Sequence, residues 1–321
     1  MRSLFPNAPI PGSATLAASG APATGANRAL RPLRIGLIPE RNLFEQRRAY
    51  QALATYLDKK LPATRVELVT TSTYAGILED FRQPSDQGGV DCAFLGSLVA
   101  VLAADRHDAQ VLLKSESVRL SGEALSTYRG VLFVKDDSPI QSITDLANKR
   151  VAGVRTTTGG AVFPLFINGQ MPEDKNFEML WSGTHEDVIR EVAEGAADAG
   201  AVKDTRLEAY QRDHPDARFR RLAQTAAVPD NALLVRRDLP AETRDALVQT
   251  LLAMNATPEG QIVLAQMGIQ RFLPCTLEEY ASLYQMLRAL GPRWSDLSLE
   301  GPAPKNFSST FTQPNALNPE P

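Results

Sequence analysis

The stretch Gly153-Val154-Arg155-Thr156-Thr157-Thr158-Gly159-Gly160-Ala161-Val162-Phe163-Pro164 carries a β-type run through hydroxyls and glycines into an apolar helix start. The first turn of a helix has N–H groups without partners inside the helix and a partial positive charge, so an oxyanion is stabilised there. Threonine hydroxyls add donors, and glycines let a backbone approach a ligand closely. A competing reading makes this an ordinary strand-to-helix turn in which a threonine caps the helix.

Outward from that turn, short β-type runs alternate with helical patterns. The runs are Leu33–Ile38, Val66–Thr70, Val90–Leu95, Tyr128–Lys135, Val151–Val154, Phe177–Trp181, Ala197–Val202 and Ala232–Arg236. Helical spacing marks 43–60, 74–82, 97–104, 160–168, 185–194, 204–212, 241–254, 258–266 and 277–290. The alternation predicts mostly parallel sheets with helices on both faces, and 321 residues supply chain for two of them. A short echo links the two halves. Gly88-Gly89-Val90-Asp91-Cys92-Ala93 and Gly195-Ala196-Ala197-Asp198-Ala199-Gly200 share a Gly-x-x-Asp followed by small residues.

Composition narrows the function. The chain is 43% apolar and 22% charged with a formal net charge of −3, so it lacks the overall basic field that nucleic-acid binding requires. No apolar run reaches membrane-spanning length. Two cysteines, Cys92 and Cys275, exclude a disulfide scaffold, and three well-separated histidines leave no local metal pair. No G-x-S-x-G elbow, phosphate loop, H-E-x-x-H or strand-borne G-x-G-x-x-G is present. No metal or cofactor is expected.

Further candidate site residues sit where strands end and helices begin, the ligand-binding edge of open α/β sheets. Tyr74 follows the Val66–Thr70 run. Gly96 and Ser97 follow Val90–Leu95, and Ser97 is equally suited to capping its helix. Thr184 and Asp187 are spaced as a capping box, which puts His185 in a first helical turn and predicts a neutral imidazole. Asp204 follows Ala199–Val202, either as a pocket carboxylate or as a helix cap. Proline-rich, small-residue segments at 1–32 and 291–321 are expected to be disordered. The first of these has no uninterrupted apolar stretch of signal-peptide length, so export is left open.

Together these segments resemble the phosphonate-binding group of type II periplasmic binding proteins, the substrate-binding components of phosphate, phosphite and phosphonate ABC transporters. The resemblance rests on Thr73-Tyr74-Ala75-Gly76, on Val90-Asp91 through Gly96-Ser97, and on Tyr128-Arg129-Gly130-Val131-Leu132-Phe133-Val134. It continues through Asp137-Ser138-Pro139-Ile140, Asp145 to Arg150, Thr157 to Gly160 with Pro164, Gly183-Thr184-His185-Glu186, and Asp198 to Asp204.

The resemblance implies a two-lobe α/β fold joined by two crossover strands. Lobe 1 would comprise 33–127 plus 232–290 and lobe 2 would comprise 128–231. It also implies capture of a small phosphorus oxyanion by Tyr74, Gly96, Ser97, Thr157, Thr158, Gly159, His185 and Asp204, with delivery to an ABC permease from the periplasm. Two departures stand out. The family's Ser-Thr-Ser-Gly turn is Thr157-Thr158-Gly159-Gly160 here, one hydroxyl short, and Leu95 and Asn231 replace side chains expected around an aminophosphonate's ammonium. Two other readings are a soluble sensor or partner-binding module on the same scaffold, and an enzyme using His185 and Asp204 as acid and base on a phosphorylated substrate. In the binding reading Asp204 accepts a hydrogen bond from a protonated ligand and rejects sulfate.

Overall fold

The computed structural model describes residues 32–37, 43–61, 64–71 and 74–291. Most of the segments expected to be disordered, 1–31 and 292–321, lie outside these residues. The chain begins with β1 (Leu33–Leu37), α1 (Leu43–Lys60), β2 (Val66–Thr70), α2 (Tyr74–Arg82), β3 (Cys92–Leu95), α3 (Ser97–His107), β4 (Gln110–Val118) and β5 (Ala124–Leu125). It continues with β6 (Thr127–Tyr128), β7 (Gly130–Lys135), β8 (Arg150–Val154), α4 (Phe163–Gln170), β9 (Glu178–Ser182), α5 (His185–Ala193), β10 (Ala199–Lys203), α6 (Asp204–Asp213) and β11 (Phe219–Gln224). Last come β12 (Val228–Pro229), β13 (Ala232–Val235), α7 (Ala241–Leu252), α8 (Pro258–Met267), β14 (Arg271–Pro274) and α9 (Ala281–Leu290).

The strands form two mixed sheets. The larger runs β14-β4-β13-β3-β1-β2 with β5 on β4, and the smaller runs β11-β7-β10-β8-β9. One rule builds both. Three strands joined by helices (β1 to β3, and β8 to β10) pair in parallel, and a strand that arrives from the other sheet's segment (β13 or β7) pairs antiparallel beside them. The chain passes from the larger sheet to the smaller through β6 and back through β12, and these two short strands pair antiparallel.

The sequence echo has a structural cause. Asp91, just before β3, donates its N–H to the Arg34 carbonyl (2.9 Å) and accepts the Arg34 N–H on Oδ2 (2.9 Å). Asp198, just before β10, does the same with Arg150 (2.9 Å and 2.8 Å). Each aspartate fixes the register of a third strand against a first.

β4, β11 and β14 were not anticipated. The polar stretch Lys114-Ser115-Glu116-Ser117 lies in β4, which pairs on both sides, with β13 and β14, and Ser115 and Glu116 are buried. Arg271, 2.6 Å from Glu116, supplies the counter-charge that this burial requires. The last helix, α9, is buried among residues from the segments of both sheets. Leu283, Tyr284, Met286 and Leu287 of α9 join one core with α3 and with Phe163 and Leu165 of α4, so α9 packs against a helix of the smaller sheet's segment.

Candidate functional site

The hydroxyl-rich turn leaves the end of β8 under visible constraint. Thr156 has φ 62°, a left-handed conformation that is an outlier for a β-branched residue and characteristic of functional turns. Thr157 caps the following helix, accepting the Gly160 N–H (3.0 Å) and donating to the Val154 carbonyl (2.9 Å). The helix opens with a π-turn over Thr158–Val162 before α4, an irregularity common at functional sites. The glycines serve packing more than ligand approach. A Cβ on Gly159 would lie 2.9 Å from the Val202 carbonyl oxygen, and one on Gly153 would lie 2.0 Å from that of Gly160.

Beside this turn is a cavity of about 40 Å³. Gly96 and Ser97 from the end of β3, Tyr128 from β6, Thr156 to Gly159, His185 at the head of α5, Lys203, Arg206 and Asn231 all line it. Two polar atoms in its wall, Thr158 Oγ1 and His185 Nδ1, are buried without a hydrogen-bond partner. Buried polar groups are nearly always satisfied, so these two atoms leave hydrogen-bonding capacity unused beside the cavity. The His185 ring is partly accessible while its Nδ1 is shielded. Burial, reinforced by Arg206 and Lys203, depresses its pKa to about 3, so the imidazole is neutral at physiological pH.

The wall is electropositive. Lys203 Nζ sits 4.5 Å above the Tyr128 ring and 2.5 Å from Asp230. Burial alone would raise the Asp230 pKa, but the adjacent ammonium outweighs it and holds the carboxyl below its ordinary value. Arg206 has no carboxylate partner among the described residues. Ser97 is already committed: its Oγ bonds the Tyr128 hydroxyl (3.0 Å) and the Pro229 carbonyl (2.7 Å), tying α3 to both short crossing strands.

The predicted residues therefore divide. Gly96, Ser97, Thr157, Thr158, Gly159 and His185 share one cavity. Tyr74 opens α2, but its side chain lies outside the described residues. Asp204 does not line the cavity. Its Oδ2 accepts from Arg119 at 2.8 Å and its Oδ1 from the Thr205 N–H at 2.8 Å, so the carboxylate sits in a buried ion pair. Lys203 and Arg206 went unremarked in the sequence. The available signal was a lysine ending a small-residue strand with an arginine three positions on, the spacing of one helix face.

The fold is that of type II periplasmic binding proteins. It is shared with a binding-protein component of an ABC phosphonate transporter from Pseudomonas aeruginosa (TM-score 0.66, 19% identity, 83% of this chain and 97% of that one). PhnD1 from Prochlorococcus marinus MIT 9301, solved in complex with methylphosphonate, is equally similar (TM-score 0.66, 21% identity, 81% of this chain and 98% of that one). The sequence profile described as "ABC transporter, phosphonate, periplasmic substrate-binding protein" matches residues 35–280, and the chain belongs to that family. Curated relatives include the phosphonates-binding periplasmic protein of Escherichia coli K12, 25% identical over 222 residues (66% of this chain, 63% of the relative). The phosphate-import protein PhnD of Mycolicibacterium smegmatis is 26% identical over 192 residues (57% of this chain, 58% of the relative). The chain thus aligns with about three-fifths of the length of these relatives.

Proposed function

We propose that this protein reversibly captures a phosphorus oxyanion between two lobes, 33–127 plus 232–290 and 128–231, and delivers it outside the cytoplasm to an ABC permease. The observation that carries this reading is the pair of buried, unpartnered atoms, Thr158 Oγ1 and His185 Nδ1, in one small cavity with Arg206 and Lys203. A neutral imidazole tautomer with its proton on Nδ1 donates to an oxyanion without a second proton transfer, and the threonine hydroxyl does the same. First-turn N–H groups of the helix after β8 add fixed dipoles. A water-excluding wall strengthens each of these bonds. The relatives named for phosphonate and phosphate, and the methylphosphonate-bound neighbour, indicate the same ligand chemistry.

Capture and release require no bond making. The acid–base alternative needs His185 and Asp204 together, and Asp204 is engaged by Arg119 instead. Calorimetry with phosphate, phosphite, methylphosphonate and sulfate tests the proposal. Binding tighter than millimolar to at least one phosphorus anion is expected, and no such binding to any of them would overturn it.

A further inference from the structure

Two cations line the small cavity, and they differ in what they can give a ligand. Lys203 is already matched, with its Nζ 2.5 Å from Asp230. Arg206, half-buried in the first turn of α6, has no carboxylate partner among the described residues. A guanidinium keeps its charge at every working pH, so two cations against one carboxylate leave a net positive charge on this wall. Three helices also begin here: α3 at Ser97, the helix after β8 at Thr158, and α5 at His185. Each start adds roughly half a positive charge, which with Arg206 brings the wall to roughly two and a half.

We infer that this site selects the doubly ionised form of a tetrahedral oxyanion, that Arg206 sets this preference, and that sulfate is accepted as readily as an equally charged phosphate. The inference rests on the reading of the cavity as an oxyanion cradle. A singly ionised phosphate or phosphonate carries a P–OH, whose proton needs an acceptor. A carboxylate would take that proton and would repel a bare dianion. Among the described residues none lines the cavity, and Asp204 is held by Arg119 and the Thr205 N–H. The Ser97 and Thr157 hydroxyls donate to the carbonyls of Pro229 and Val154. Thr158 Oγ1 and His185 Nδ1 remain, and each can donate to an oxygen that has no proton of its own. An imidazole drawing the proton off the ligand would become an imidazolium, which burial, Arg206 and Lys203 all oppose.

Charged and titratable groups surround Arg206 on several elements. Asp204, Glu208 and Arg212 share α6 with it, Lys203 ends β10, and His185 opens α5. Tyr128 lies on β6, Asp230 follows β12, and Arg119 follows β4. Sulfate stays doubly charged across the working pH range, so a titration among these groups would show in its affinity too.

The test is calorimetry on the full chain with methylphosphonate, phosphate and sulfate, repeated on Arg206→Gln and Arg206→Lys. Measurements at about pH 5.5 and about pH 8.5 bracket the second ionisation of both phosphorus acids. Their affinities are expected to rise at least tenfold across that range, while that of sulfate changes less than threefold. At the higher pH sulfate and phosphate should bind within tenfold of each other. Arg206→Gln should shrink the rise at least threefold, and Arg206→Lys, which keeps the charge, should retain it. Thermal unfolding without ligand establishes that both variants are folded. Phosphorus anions whose affinity stays level or falls with rising pH would overturn this inference and leave phosphorus-oxyanion capture standing. So would sulfate failing to bind where phosphate binds, or a rise undiminished in Arg206→Gln. If neither phosphorus anion binds at either pH, the cradle reading falls and this inference with it.

Discussion

Arg119 Nη2 lies 2.8 Å from Asp204 Oδ2, joining the hairpin beyond β4 in the larger sheet to the first residue of α6 after the smaller sheet's β10. The two side chains are only 10% and 6% exposed, so neither charge has water to fall back on. Removing one partner of such a pair costs about 3–5 kcal/mol, because the other remains buried and uncompensated. Arg119→Met is expected to lower the unfolding free energy by about 3 kcal/mol, measured by urea denaturation without ligand. Asp204→Asn should cost less. Its amide oxygen still accepts the Thr205 N–H, and Glu208, 3.4 Å from Arg119, keeps part of the attraction. Parent-like midpoints for Arg119→Met would mean the pair contributes nothing.

The depressed pKa of His185 makes a signed statement about acid stability. Its folded-state value of about 3 lies below the ordinary 6.5, so between those values the unfolded chain binds a proton that the folded chain refuses. Stability rises with pH wherever the unfolded state holds more protons. The His185 contribution is therefore complete above pH 6.5, declines as pH falls through that value, and levels off near 3. Each pH unit well inside the window removes about 1.4 kcal/mol. His185→Asn eliminates this dependence, so the difference between parent and variant should narrow from pH 7 to pH 5. Parallel curves across that range would contradict the buried neutral imidazole.

Thr156 offers a test of stored strain. Its φ of 62° suits glycine, and holding a β-branched residue there costs about 1–3 kcal/mol. Glycine relieves that strain while adding roughly 0.5–1 kcal/mol of unfolded-state entropy, so Thr156→Gly should be equally or slightly more stable. Thermal unfolding of the two proteins checks it, and a drop of several degrees would show that the side chain itself holds the turn.

Much of the architecture was legible because local chemistry and tertiary demand agreed. Val66–Thr70 and the helix beginning at Ser97 carry their signals within a few residues, and both form where expected. β4 was hidden because its polar half is stabilised by partners far away in sequence, Arg271 above all. The site divided in the same way. Helix starts revealed Thr158 and His185, since a cap and its neighbours are a local pattern. The fate of Asp204 depended on Arg119, 85 residues earlier, and no spacing rule reports that encounter.

Thr157 and Thr158 are adjacent, share a cavity wall, and should respond oppositely to the same substitution. The Thr157 hydroxyl is consumed inside the protein, between the Gly160 N–H and the Val154 carbonyl. Thr157→Val deletes a helix cap, which costs about 1 kcal/mol of stability. The Thr158 hydroxyl is buried with no partner. Thr158→Val replaces an unsatisfied polar group by an isosteric methyl, so the empty protein should be unchanged or more stable. If that hydroxyl donates to a bound oxyanion, its loss should weaken methylphosphonate binding by about 1.5–3 kcal/mol, roughly tenfold to a hundredfold. Thermal unfolding and calorimetry on both variants separate the roles: stability should fall with Thr157→Val, and affinity with Thr158→Val. A Thr158→Val protein that binds methylphosphonate like the parent would remove Thr158 from the cradle, leaving its buried hydroxyl without a function.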